Sequence, residues 1–363
     1  MRNSDELMAV TALRFLAAFY VFIFHIHIRW PLAVAGQTFD RLLSQGAVGM
    51  SLFFILSGFV LAISLTRSPR SFGSYFKSRI FRIYPVYFFA ALATIPWLFG
   101  SEKPNVLLGA LLITTNILMI QAWFPSTFHF WNNGASWSIS VEFFFYAVLP
   151  LVILLTVDLS NRRLFHITVI SVLASAVVGL AYVAFPPTVP LIVFYSAPVY
   201  RLPEFLVGVT SGLMFANNVR IRSPKFVLVV ALIVLALALS FPQLTGTSYI
   251  TAHYIAVPSI AITIFASACI GSVPGPIFRP IVWMGRISYS FYAFQSLTIY
   301  TLISLRTQLA EFSPIFKNNW GIFVLAFATT TILAAISHNL LEVKFRDILE
   351  LRFNKTATPK KAY

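Results

Sequence analysis

Eleven apolar stretches of about span length follow one another along the chain. They fall near residues 9–28, 45–66, 83–100, 106–124, 138–157, 164–185, 199–216, 226–241, 253–271, 287–305 and 319–341. A helix rises about 1.5 Å per residue, so roughly 20 mostly apolar residues cross the hydrocarbon layer of a bilayer. Inside lipid every backbone N–H and C=O must be satisfied within the protein, which selects helices. The composition agrees, with 58% of the 363 residues hydrophobic and 10% charged. Soluble domains average about 45–50% apolar and about 25% charged residues. The expected fold is an all-α integral membrane bundle. The charge deficit excludes a disordered chain and argues against an ordinary soluble enzyme.

The net charge is +15, from 26 Lys and Arg against 11 Asp and Glu. On a soluble protein that excess would point to nucleic acid. Here it fits loops held by the positive-inside rule, and no nucleic-acid partner is expected. The single Cys269 excludes a disulfide within the chain and a Cys-based zinc cluster, and no metal site is expected. The first stretch carries Arg14 and no small-residue cleavage site, so it is not a removable signal peptide.

Charge also sets the topology. If all eleven stretches crossed, most of the basic residues would lie outside, against the rule. If 106–124 enters and leaves on one side, nineteen basic residues lie inside and six outside (Arg29, Arg41, Lys103, Arg201, Arg306 and Lys317). That stretch is also the most polar, with Thr114, Thr115, Asn116 and Gln121. The expectation is about ten transmembrane helices plus one re-entrant segment, with both termini cytoplasmic. Residues 1–346 read as one membrane domain and 347–363 as a short basic cytoplasmic tail.

Ionisable side chains inside apolar helices are costly and default to function. Arg14 and His25 lie eleven residues apart on the first stretch, hence on one helical face, about 16 Å apart along the axis. His27 points nearly opposite to Arg14. Ser138, Glu142 and Tyr146 form an i, i+4, i+8 polar stripe after Trp137. Glu142 is expected near the outer end, either orienting His25 as a general base or pairing with Arg201. Arg201 and Glu204, at i, i+3, are expected to satisfy each other. In the basic loop before 83–100, Arg79 and Arg82 share a face on which two guanidiniums would converge on phosphate, with Arg286 able to join them. Any inner loop is basic, so a purely topological role for these arginines stays open. Two poles emerge: an inner cationic site suited to a phosphorylated ligand, and an outer His and Glu pair.

These residues, in this order, resemble the membrane acyltransferase family 3. The resemblance rests on Arg14 and His25 with ten residues between them, Gly49 to Phe59 with its Phe53-Phe54 and Ser57-Gly58-Phe59, and Arg79, Arg82 and Pro85. It continues through Trp137, Ser138, Glu142 and Tyr146, then Arg201, Glu204, Phe205 and Gly208, then Gly285 to Ser290, and Ser337 with Glu342. It covers about residues 9–346. The chain departs from the family pattern at Ser51, Gln295 and Lys344, where an acid, a His and a Pro are common.

The resemblance implies an integral membrane O-acyltransferase in a bacterial cytoplasmic (inner) membrane, with no permanently bound cofactor and acyl-CoA, most often acetyl-CoA, as co-substrate. Arg14, Arg79, Arg82 and Arg286 would bind the donor. His25 would act as base and Glu142 would orient it. Trp137, Ser138 and Asn133 would meet the acceptor, a surface saccharide or lipid-linked glycan, or else a macrolide-type natural product. An acyl-enzyme on Ser57 is the competing route. From another class, a multi-span transporter or flippase would also account for spans that carry ionisable residues.

Overall fold

The computed structural model describes residues 7–32, 36–184, 191–240, 253–272 and 275–348. Each apolar stretch carries a helix: α1 (Met8–His27), α2 (Gly49–Arg67), α3 (Phe72–Ala93), α4 (Val106–Ile117), α5 (Asn133–Thr156), α6 (Asn161–Ala184), α7 (Pro198–Ala216), α8 (Pro224–Ser240), α9 (His253–Ile270), α10 (Ser288–Ser304) and α11 (Asn319–Ser337). Among the described residues there is no strand. The basic tail expected over 347–363 lies outside the described residues beyond Ile348.

Four helical stretches, Met8–His27, Gln37–Arg67, Ser136–Thr156 and Asn319–Ile348, are long and apolar enough to cross a membrane. Val106–Ile117, Pro224–Ser240 and Ile255–Ile270 are apolar but shorter. Large side chains such as Leu154, Phe165, Ile170, Leu173 and Phe226 are more than half exposed. So much outward apolar surface suits a lipid environment rather than water.

One boundary differs from expectation in a way that matters. Residues 72–82 are not a loop but the first turns of α3, which runs unbroken to Ala93 with Pro85 inside it. Ser71 caps the helix, its hydroxyl oxygen accepting from the Ser74 N–H. Arg79 and Arg82 are therefore fixed on a helix.

The helix directions follow from contacts. Gly271 at the end of α9 accepts from the Ala9 N–H, and Gly285 of the short helix Phe278–Arg286 sits against the Thr11 carbonyl. A basic end thus gathers the start of α1, Arg286 and the end of α2. At the opposite end the turn 46–48 meets Tyr20 and Phe24. Helix α4 lies beside α3, with Leu112 in a cluster with Ala91 and Leu98, and the Tyr87 hydroxyl donates to the Asn116 carbonyl at 2.8 Å. Residues 118–132 then return, and the Trp131 Nε1–H donates to the Thr94 carbonyl at 3.1 Å. The segment 106–132 therefore runs in beside α3 and comes back to the end where it began. The Gln121 amide ties this hairpin to α5 by donating to the Ser136 carbonyl at 2.9 Å.

Backbone contact between α2 and α7 holds the centre. A Cβ placed on Gly208 would lie 1.9 Å from the Ile55 carbonyl oxygen, and one on Gly58 would lie 2.3 Å from that of Phe205. Gly208 and Gly212, four residues apart, form the small-residue stripe that lets apolar helices touch. Flanking rings lock the contact, with Phe145 stacked on Phe205 at a centroid distance of 4.4 Å.

Gly208→Ala should force the two helices apart and lower stability by about 1–3 kcal/mol, the usual cost of overpacking. Gly73→Ala, where a methyl meets nothing within 4 Å, should leave stability unchanged. Thermal unfolding of the detergent-solubilised variants checks both.

Candidate active site

Three cavities lie in a row through the bundle. The first, of about 660 Å³, sits at the basic end and is lined by Arg14, Arg67, Arg70, Arg79, Arg82, Arg286 and Arg346, with His338 and Glu342. The second is slender, about 100 Å³, and shares Arg14, Val60, Arg79, Arg82 and Arg286 with the first. The third, about 400 Å³, holds His25 and shares only Met50 and Tyr292 with the second. Met50 and Tyr292 therefore stand between them.

Arg14, Arg79, Arg82 and Arg286 all line both of the first two cavities. Arg82, Glu142 and Arg79 are the charges that act on Arg14. Burial, with Arg82 alongside, holds the Arg79 guanidinium below the ordinary arginine range, yet arginine stays cationic at neutral pH. Arg79 packs on the Tyr75 ring at 5.9 Å, and its buried Nε has no hydrogen-bond partner among the described residues. No carboxylate lies within ion-pair distance of Arg14, Arg79 or Arg82 among those residues. Like charges gathered in an apolar bundle require a compensating anion.

The placement of Glu142 beside His25 is corrected. Helix α5 starts at Asn133, four residues before Trp137, so Glu142 lies nine residues, about 13 Å, along it. There it lines the slender cavity and accepts from the Ser57 hydroxyl at 3.1 Å and from the Tyr146 hydroxyl at 2.5 Å. It does not pair with Arg201 either. Arg201 and Glu204, each at least 98% buried, bond to each other at 2.6 Å, as their spacing predicts. The Arg201 guanidinium also donates to the Tyr195 carbonyl at 2.7 Å and lies 4.8 Å from the Tyr195 ring.

The side chain that acts on His25 from α10 is Gln295, which is fully buried. Neither atom of its amide has a hydrogen-bond partner among the described residues. This is one of the positions where the chain departs from the family pattern. His27, as expected, points away: its Nδ1 accepts from the Leu32 N–H and its Nε2 meets Asp40 at 3.1 Å. Lys344 is exposed and lines none of the three cavities.

Of the residues expected to meet an acceptor, Trp137 does line the His25 cavity. Ser138 does not. One residue deeper on α5, it lines the slender cavity and hydrogen-bonds the Tyr292 hydroxyl at 2.6 Å. The side chain of Asn133 lies outside the described residues. Sequence reasoning missed Arg29, His129, Trp131 and Tyr300, which share the cavity with His25. The run Phe128-His129-Phe130-Trp131 just before Trp137, and the placing of Arg29 four residues after His25, were the signals for them.

An apolar helical bundle with an arginine-lined cavity at one end and a His25-lined cavity further along defines a membrane protein with internal ligand-sized space. The chain belongs to acyltransferase family 3, whose acyltransferase domain matches residues 9–338. It is 30% identical over 305 residues to "Acyltransferase MdmB" of Streptomyces mycarofaciens, covering 79% of this chain and 77% of that one. It is 26% identical to "Putative peptidoglycan O-acetyltransferase YrhL" of Bacillus subtilis, over 92% of this chain but 54% of that one, so it spans about half of that relative. It is 27% identical to "Exopolysaccharide production protein ExoZ" of Rhizobium meliloti, over 70% of this chain and 77% of that one. No solved structure matches it.

Removing one member of the buried Arg201–Glu204 pair strands a charge in the core. Glu204→Leu should therefore cost about 3–5 kcal/mol, and Arg201→Met with Glu204→Leu should recover part of that loss. Thermal unfolding of the two variants against the parent tests the order.

Proposed function

We propose that the chain is an O-acyltransferase that takes an acyl group, most often acetyl, from acyl-CoA at the arginine-lined end. It passes the group to a hydroxyl of a surface saccharide or lipid-linked glycan at the His25 end. One observation carries the reading: the cavities in a row between four converging arginines and His25. Arg79, Arg82, Arg286 and Arg14 would hold the donor's phosphates by paired N–H donation. The small middle cavity, about 100 Å³, would take a thin flexible arm more readily than a nucleotide. His25, about 16 Å from Arg14 along α1, is where such an arm would present its thioester.

At that point His25 takes the proton of the acceptor hydroxyl as its oxygen attacks the thioester carbonyl. The proton then passes to the departing thiolate, so the imidazole ends as it began. General-base help of this kind is typically worth about 10²–10⁴-fold. Gln295, buried on α10, is the amide that would turn to the imidazole and set its tautomer. Glu142 keeps Ser57 and Tyr146 in hydrogen bonds and balances part of the arginine charge from the slender cavity. It thus positions the donor path rather than the base. The engagement of Ser57 with Glu142 and the helix contact at Gly58 favour direct transfer over an acyl-serine route.

The reading includes about ten crossings, with the hairpin 106–132 as the re-entrant segment and the basic end, where the arginines gather, in the cytoplasm of a bacterial inner membrane. The printed names of the exopolysaccharide and peptidoglycan relatives support a glycan acceptor, and that of the Streptomyces relative is of an acyltransferase alone.

His25→Ala should abolish transfer from labelled acetyl-CoA while the protein remains monodisperse in detergent; near-normal activity would overturn the assignment. Arg79→Ala combined with Arg82→Ala should raise the KM for the donor about tenfold or more, with a smaller change in kcat. An unchanged KM would remove the phosphate role.

A further inference from the structure

We propose that the cavity around His25 is a receptor for an anionic sugar, and that Arg29 takes the acceptor's carboxylate or phosphate. The inference deepens the acyltransferase reading and rests on it, since it names the class of acceptor.

The cavity, at about 400 Å³, lies within the range of roughly 300–1,000 Å³ typical of small-molecule sites. Its walls are aromatic, with Trp131, Trp137, Tyr195 and Tyr300 among them. Flat rings of this kind cover the apolar faces of a pyranose while their polar tips stay hydrogen-bonded. The Tyr300 hydroxyl donates to the Trp131 carbonyl at 2.9 Å, and Trp97 stacks on the Tyr300 ring from outside at 5.7 Å, so this wall is braced.

The ionisable groups are one-sided. Arg29, His25 and His129 line the cavity, and no Asp or Glu does. Arg29 is anchored by one bond only, from its Nη1 to the His25 carbonyl at 3.0 Å. Among the described residues no carboxylate pairs with it. Tyr300 is the neighbouring group that acts on its charge, which places the guanidinium beside the aromatic wall. With Nη1 on the His25 carbonyl, the planar guanidinium keeps Nε and Nη2 as further donors and has no internal counter-ion among the described residues, so it can receive a carboxylate or phosphate on two donors. Its anchor is the backbone of the base itself. An acceptor gripped there is therefore held one helical turn from the imidazole that must reach its hydroxyl.

A lipid phosphate could satisfy the same guanidinium from the membrane surface, so the test separates the two sources. Purified protein in nanodiscs of neutral phosphatidylcholine, and in phosphate-free detergent, is titrated with glucuronic acid, glucose 1-phosphate, glucose and glucosamine. Binding is read by tryptophan emission, since Trp131 and Trp137 face the cavity. The expected result is tighter binding of the two anionic sugars than of glucose, by about tenfold, as a charge-assisted pair allows. Glucosamine should bind more weakly than glucose. The gap should persist in both media, narrow in Arg29→Lys and vanish in Arg29→Gln.

Equal affinity for charged and neutral sugars overturns the proposal, as does a gap that survives Arg29→Gln. So does a gap seen in detergent alone, which would mark a lipid-headgroup site. The acyltransferase reading is judged apart, by transfer in His25→Ala. If that variant keeps activity the enzyme assignment fails, whatever the sugars do.

Discussion

Contact between the backbones of α2 and α7 is the constraint on which the remainder depends. With Gly58, Gly208 and Gly212 at the crossing, the two helices approach until carbonyl oxygens occupy the space of missing side chains. Helix α2 is thereby fixed, and it supplies a wall to every cavity in the row: Met50 between the second and third, Ser57 beside Glu142, and Arg67 at the basic end. Helix α1 packs antiparallel on α2 where Gly49 meets Val21 and Ala17. It contributes Arg14 to the first two cavities and His25 to the third. Two neighbouring helices therefore span the distance between the charged poles, and the small residues decide how closely.

Electrostatics explains why the poles stay apart. Among the described residues, the charged and imidazole groups named above are either closed on a partner or turned to a cavity. Arg201 and Glu204 close on each other, and His27 closes on Asp40 and the Leu32 amide. Arg14, Arg79, Arg82, His25 and Arg29 line cavities instead. Charge in an apolar bundle costs several kcal/mol unless it is satisfied. The groups left facing cavities are the ones that a ligand would complete.

The sequence made the one-dimensional features legible. Apolar run length found the eleven helices. The eleven-residue step puts Arg14 and His25 on one face, and both line cavities, whereas His27 closes on Asp40 and the Leu32 amide. The i, i+3 rule found both the self-satisfied Arg201–Glu204 pair and the shared face of Arg79 and Arg82. Depth was harder to read. The apolar stretch 138–157 puts Glu142 at the level of His25, whereas the helix begins at Asn133 and carries the carboxylate further inward, to Ser57 and Tyr146. Pairing between distant segments was not visible at all. That Gln295 acts on His25, or that Arg29 and Tyr300 share a wall with Trp131, depends on how α1, α10 and the 118–132 return lie side by side. Hydrophobic periodicity says nothing about that.

The placing of Met50 and Tyr292 between the second and third cavities has a consequence for the cell that carries this protein. A file of cavities across a charged membrane is a ready leak for protons and small ions, and an enzyme has no use for conductance. Met50 is 5% exposed and Tyr292 8%, and the tyrosine is tethered to Ser138 with the Phe53 ring 6.1 Å away. A bulky, mostly apolar plug at the one point where the two halves touch gives the insulation that the wider chambers lack. On the proposed reading, the side chains that pass the donor's thin arm toward His25 would also be those that limit the flow of ions across the membrane.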